Sequence, residues 1–149
     1  MLVSTVKKLF LRDLAKLKTE IESYQDEGNL WLTDKAITNS AGNLCLHLIG
    51  NINAYIGTEI GRTGYVRQRE LEFSLKNIPR QELLTRIEKT IRVVETALDK
   101  LSEEDMHKEY PILVFAEKTS IGYFLVHLTV HLGYHLGQIN YHRRIFDQP

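Results

Sequence analysis

Apolar positions along the chain gather into four long segments with a helical period. Between about residues 3 and 26, Val3, Val6, Leu9, Phe10, Leu14, Leu17, Ile21 and Tyr24 step by threes and fours among Lys, Arg, Asp and Glu. That spacing draws one stripe on an amphipathic α-helix. Gly28 just beyond suits its C-terminal end. A second segment, about 40–60, follows the candidate caps Thr38, Asn39 and Ser40 and is apolar on nearly every side. Such a helix is buried all round, or covered on one side by a partner. In the third segment, from Pro79, the residues Leu84, Ile87, Ile91, Val94, Leu98 and Leu101 step 3-4-3-4-3, a bundle-type seam. The fourth, about 120–146, opens on Thr119-Ser120 and is again apolar almost all round. Two amphipathic helices flanking two greasy ones predict an all-α protein, a four-helix bundle with two long connecting loops.

The two connections have their own character. Residues 61–79 carry Gly61, Gly64 and Pro79 and the charges Arg62, Arg67, Arg69, Glu70, Glu72 and Lys76. A partly extended loop of this length is either a functional lid or a solvated loop with mutual ion pairs. Residues 103–118 include Pro111-Ile112-Leu113-Val114-Phe115, expected as a short extended piece folded back over the bundle. Trp31, the single Trp, plugs one end of the core or lines a pocket mouth. Gly133 and Gly137, four apart, leave room for another helix backbone.

Composition narrows the function classes. The 149 residues suit one domain spanning 1–149. Nineteen basic and 19 acidic residues cancel, so no net basic field points to nucleic acid. The greasy stretches are broken by Asn43, Asn51 and Asn53 or by histidines, and lack the uninterrupted length of a membrane span. Lys7, Lys8, Arg12, Lys16 and Lys18 leave no signal-peptide apolar region near the start. One cysteine, Cys45, excludes an internal disulfide and a Cys-rich zinc site. A cytoplasmic setting is expected. Cys45 itself reads as an apolar filler in preference to a ligand or nucleophile, since it faces away from His47.

The histidines change the picture most. His127, His131 and His135 recur every fourth residue inside the fourth segment, so they share one helix face. His47 lies inside the other greasy segment, on a face with Asn43 and Asn51. Buried imidazoles need polar partners or a metal. Two histidines at i and i+4 plus one from a facing helix give three nitrogen ligands and an open position, the layout of a catalytic site. The bland alternative is hydrogen-bonded core histidines. Periodicity does not say which of the three take part, but His127 and His135 are roughly 12 Å apart along the axis, too far to share one ion with His131 easily. No Glu follows the first His of a pair, so the HExxH protease arrangement is absent. His107 is expected in solvent.

These residues resemble the DinB-like (YfiT-like) superfamily of bacterial four-helix bundles. The likeness rests on His47, on His131-Leu132-Gly133-Tyr134-His135-Leu136-Gly137-Gln138-Ile139, on Thr119-Ser120-Ile121-Gly122 leading into the last helix, and on the loop string Arg67-Gln68-Arg69-Glu70-Leu71-Glu72-Phe73. The resemblance implies an up-up-down-down bundle, a homodimer, and a divalent metal, zinc or nickel, on His47, His131 and His135. His127 then falls outside the triad. It implies a thiol S-transferase in which the metal activates a low-molecular-weight thiol such as bacillithiol against a small electrophilic substrate. A metal-dependent hydrolase on the same ligands and a non-catalytic dimeric bundle in stress response or binding are the alternatives. Leu136 replaces the Arg that often follows the second helical His. Arg62, Arg67 and Arg69 are the candidates to bind an anionic thiol cofactor in its place.

Overall fold

A computed structural model describes residues 1–149. It is all-helical and contains no strand. Five α-helices follow in order: α1 (Leu2–Glu22), α2 (Ala41–Ile52), α3 (Arg69–Ser74), α4 (Arg80–Leu98) and α5 (Ile121–Phe146). Single 3-10 turns lie at Glu27–Trp31 and Asp105–His107. No helix is long and apolar enough to cross a membrane.

The caps explain where the long helices begin. Ser40 Oγ accepts from Asn43 N at 3.1 Å and Ser120 Oγ from Tyr123 N at 3.1 Å, each satisfying an otherwise unpaired amide of the first turn. For α1 the cap comes from far away: the Glu103 carboxylate accepts from Leu2 N and Val3 N at 2.8 and 3.0 Å. An anion there also complements the helix dipole.

Of the expected stripe, Val6, Phe10, Leu14, Leu17 and Ile21 are buried, Val3 and Leu9 are half-buried, and Tyr24 is buried just beyond the end of α1. All of α2 is buried, as its all-round apolar character predicts. It does not run unbroken to residue 60. From Asn53 to Thr58 the winding widens to a π-helix. There the Asn53 side-chain amide donates to the Ile49 carbonyl and to Thr90 Oγ1 on α4, inserting a side chain beside the backbone ladder. On α4 the buried stripe is Leu83, Ile87, Thr90, Val94, Ala97 and Leu98. Leu84 and Ile91, expected in the seam, sit half-buried on its flank. Thr90 holds a core position because its hydroxyl donates to Arg86 O and accepts from Asn53.

Contacts set the directions. Leu2 lies beside Gly122 and Tyr24 beside His142, so α1 and α5 run parallel. Lys7 pairs with Asp99 and Lys18 with Glu88, so α1 and α4 are antiparallel. Tyr55 meets Phe124 and His47 meets His135, so α2 and α5 are antiparallel. Along the chain the long helices therefore run up, down, down, up, which is not the chain order up-up-down-down expected from the resemblance. α2 and α4 run the same way because the connection 61–79 returns along the helices, whereas residues 99–120 join the end of α4 to the start of α5 beside the start of α1.

Those connections are more structured than expected. Residues 61–79 contain α3. Residues 108–121 form a loop closed by Tyr110 N to Thr119 O and Ile121 N to Lys108 O, both 2.8 Å. Its 111–115 piece is no strand. Ile112 and Leu113 are exposed, while Phe115 packs on Phe124. Tyr110 anchors the loop, stacking on Phe124 at 4.1 Å and donating to Tyr55 O at 2.6 Å. Trp31 lies flat over Gly42, where a Cβ would meet its ring at 2.6 Å, and so closes the start of α2.

Candidate metal centre

Antiparallel packing of α2 against α5 places His47 between His131 and His135. One nitrogen of each ring lies within 4.8 Å of the other two. His47 Nε2 and His131 Nε2 are 3.3 Å apart, about the edge length of a tetrahedron of nitrogens at zinc-ligand distance. The ring centroids of His47 stand 5.2 Å from His131 and 5.1 Å from His135.

The other ring nitrogens decide which atoms are free. His47 Nδ1 donates to Glu72 Oε1 at 3.0 Å, and His135 Nδ1 donates to Gln138 Oε1 at 2.6 Å. With those protons on Nδ1, each ring keeps a lone pair on Nε2, and that of His47 faces His131. His131 Nδ1 is buried without a partner. Asn51 Oδ1, one turn along α2 from His47, is the other buried polar side-chain atom in that condition. Burial pushes the His131 ring down to about 4, helped by repulsion from His135, His47, His127 and Arg67. Burial also lowers His135, against the opposing hydrogen bond of Gln138. Both therefore stay neutral and able to ligate at neutral pH. The three rings form a cluster able to hold a metal ion.

Glu72 is 5% exposed, on the inner side of α3. Burial alone would raise its carboxyl. The hydrogen bonds from His47 and Arg67 and the charge of Arg67 outweigh that and hold it below the usual range. Arg67 donates to both carboxylate oxygens, Nε to Oε2 and Nη2 to Oε1, each at 2.9 Å.

A model of a family described as proteins of unknown function, DUF1572, matches residues 3–148. The chain belongs to the DUF1572 family. That family sits in the DinB/YfiT-like clan. No curated protein matches the chain.

Within this DUF1572 chain the other sequence candidates separate. His127 stands one turn before His131, its ring 6.4 Å away, and packs against Phe115 at 4.7 Å, outside the cluster. Of the three arginines, only Arg67 reaches the triad, Nη2 lying 3.4 Å from His47 Nδ1, and it is already engaged by Glu72. Arg69 is exposed and lies over the Phe73 ring at 5.3 Å; Phe73 in turn packs on His47 at 5.1 Å. Arg62 is exposed in a left-handed turn at φ 55°. Cys45 is fully buried, its thiol pushed up to about 12 by burial, which suits a filler and not a nucleophile. His107 is exposed.

Sequence reasoning missed Glu72 and Gln138 as partners of the ligand rings. Gln138 stands three residues after His135, within reach on the same helix face. Glu72 lies in the string Arg67–Phe73, but its charge pattern does not distinguish it from the exposed Glu70.

Proposed function

We propose that this chain is a divalent-metal-dependent enzyme that joins a low-molecular-weight thiol of the bacillithiol type to small electrophiles, on a four-helix bundle. One observation carries the reading: three imidazole nitrogens from two facing helices converge within 4.8 Å, with Glu72 and Gln138 bonded to Nδ1 of His47 and of His135. A divalent cation there, zinc or nickel, would supply Lewis acidity that lowers the pKa of a coordinated thiol or water. His47, His131 and His135 would be its ligands, and three donors leave a coordination position open.

The chain's own groups then bind and shield. Phe73 against His47, and Phe115 against His127, form apolar walls on either side of the cluster. Arg69, over Phe73 and without an ion pair, is the cation placed for an anionic group of the thiol. Arg67 keeps Glu72 ionised instead. The test is metal analysis of the purified protein, followed by a screen of thiols against electrophiles and of ester and amide substrates. Metal-dependent thiol consumption supports the transferase, thiol-independent cleavage supports the hydrolase, and no metal-dependent turnover discards both.

A second reading is a metal-holding homodimer without turnover. It is favoured by the full engagement of Glu72, which leaves no free carboxylate beside the triad to act as general base. Under either reading a second copy covers the outer face of α5. Tyr123, Val126, Val130, Tyr134 and Tyr141 are all exposed there. A Cβ on Gly133 or Gly137 would meet nothing within 4 Å, so a partner helix could pack closely. Sedimentation of the wild type and of Val130→Glu reads this: a dimer that the charge dissociates is expected, and a monomeric wild type discards it.

A further inference from the structure

The connection between α2 and α4 is docked where it bears on the histidine cluster. Glu72 is the buried residue of α3. A carboxylate withdrawn from water needs partners, and Glu72 has three donors: His47 Nδ1, Arg67 Nε and Arg67 Nη2. Two features of α2 admit it. A Cβ on Gly50 would fall 2.6 Å from the Glu72 carboxyl carbon, so glycine alone leaves the carboxylate its place. Asn43 Nδ2 donates to the backbone carbonyls of Glu72 and Leu75 at 2.9 and 2.8 Å, pinning the end of α3 to α2. Asn43 in turn is held by Ser40 Oγ and Lys76 Nζ. Asn43 lies one turn before His47 and Gly50 three residues after it, so α3 is fastened on both sides of that ring.

We propose that α3 is a docked clip and that Glu72 is the positioning residue of His47. The carboxylate fixes the ring with its proton on Nδ1 and its Nε2 lone pair toward His131 and His135. Arg67 holds the carboxylate in place through two hydrogen bonds of 2.9 Å. The consequence for metal affinity rests on the proposed metal-dependent function; the fixing of the tautomer does not.

The test uses the full chain, stripped of metal by chelator and labelled with nitrogen-15, so that long-range proton–nitrogen spectra report the His47 tautomer. In the wild type a single Nδ1–H form is expected. Glu72→Ala removes the acceptor and Gly50→Ala displaces it while leaving every polar group present. Both are expected to give a tautomer mixture, whereas Glu72→Gln, which keeps an acceptor oxygen, retains Nδ1–H. Zinc affinity, read by competition with a chromophoric chelator, is expected to fall about 10–100-fold in Glu72→Ala. It falls in Gly50→Ala as well, although glycine to alanine inside a helix is otherwise stabilising. A Glu72 that were only a structural ion-pair partner would change stability and leave the tautomer alone. The proposal is overturned if Glu72→Ala and Gly50→Ala both keep Nδ1–H. Should Glu72→Ala not fold, the tautomer in Gly50→Ala decides by itself. A wild type that binds no zinc removes the metal-dependent function, while the tautomer still decides for or against Glu72.

Discussion

The middle of α5 and its C-terminal end hold the same side chain in opposite circumstances. His142 is 2% exposed, and both of its nitrogens have protein partners. Nδ1 accepts from Tyr24 OH at 2.7 Å, and Nε2 donates to the Leu32 carbonyl at 2.8 Å. Two turns earlier, His135 has one partner, Gln138, and His131 has none outside the cluster. Burial lowers the pKa in all three, with the Leu32 bond opposing it at His142. Burial and a lowered pKa therefore do not mark a ligand. What separates the two regions is whether the protein itself completes the ring's hydrogen bonds. At His142 the requirement is closed and the histidine ties α1 and the Trp31 turn to α5. At His131 and His135 a ring nitrogen is left within 4.8 Å of His47 on another helix.

The largest test of that contrast is His131→Ala. Metal bound per chain, measured by elemental analysis after gel filtration, is expected to fall from stoichiometric to near zero. The melting temperature of the metal-free protein should change little, because the ring's one polar contact, His47 Nε2 at 3.3 Å, lies within the cluster. A metal-free variant that no longer folds would make His131 structural and break the contrast.

His142→Ala should do the reverse. It leaves Tyr24 OH and Leu32 O unpaired and opens a cavity, at a cost of about 2–4 kcal/mol by urea unfolding. Metal content should be unchanged.

In the folded, metal-free chain these rings bind protons less readily than in the unfolded chain, whose histidines titrate near 6.5. Stability should therefore be level above about pH 7 and fall as pH drops through the range from about 6.5 to 4, as the unfolded state takes up protons first. The value about 4 is that of His131. Urea midpoints across this range should fall less steeply in His131→Ala and in His142→Ala. If His142→Ala alone abolishes the fall, the cluster histidines are not depressed and the comparison fails. Bound metal should leave over the same acidic range, since protonated rings cannot ligate.

The smallest effects come from the partner groups. Tyr24→Phe takes one hydrogen bond from His142 and should lower stability by about 1 kcal/mol, with metal unaffected. Gln138→Ala frees the exposed partner of His135 and should weaken zinc binding in a chelator competition by a factor of a few, at unchanged stability.

Much of the architecture was legible because helices bury stripes. The period of Val6, Phe10, Leu14, Leu17 and Ile21, and the serines at 40 and 120, mark α1, α2 and α5 closely. The misplacements have local causes. The α4 seam turned because a threonine could be buried once Asn53 met its hydroxyl, and polarity alone hides such a residue. The π-helical end of α2 depends on a side chain reaching Thr90, which lies 37 residues later. α3 is six residues long, too short to show a period. Along the chain Glu72 resembles any exposed acid. Its burial follows from Gly50, Asn43 and Arg67 meeting it.

Local spacing was enough to put three histidines on one face of α5 and one histidine inside α2, since helical geometry is set within a few residues. Spacing could not rank His127 against His135, because both stand one turn from His131 and a single helix treats them alike. The choice came from the second helix. Antiparallel packing brings His47 level with His131 and His135 and leaves His127 against Phe115. The partners of the ring nitrogens followed the same division. Gln138 is a near neighbour of His135 in sequence, and Glu72 reaches His47 only through a loop folded back across α2. Hydrogen bonds between distant segments exist only when packing has fixed where both segments lie.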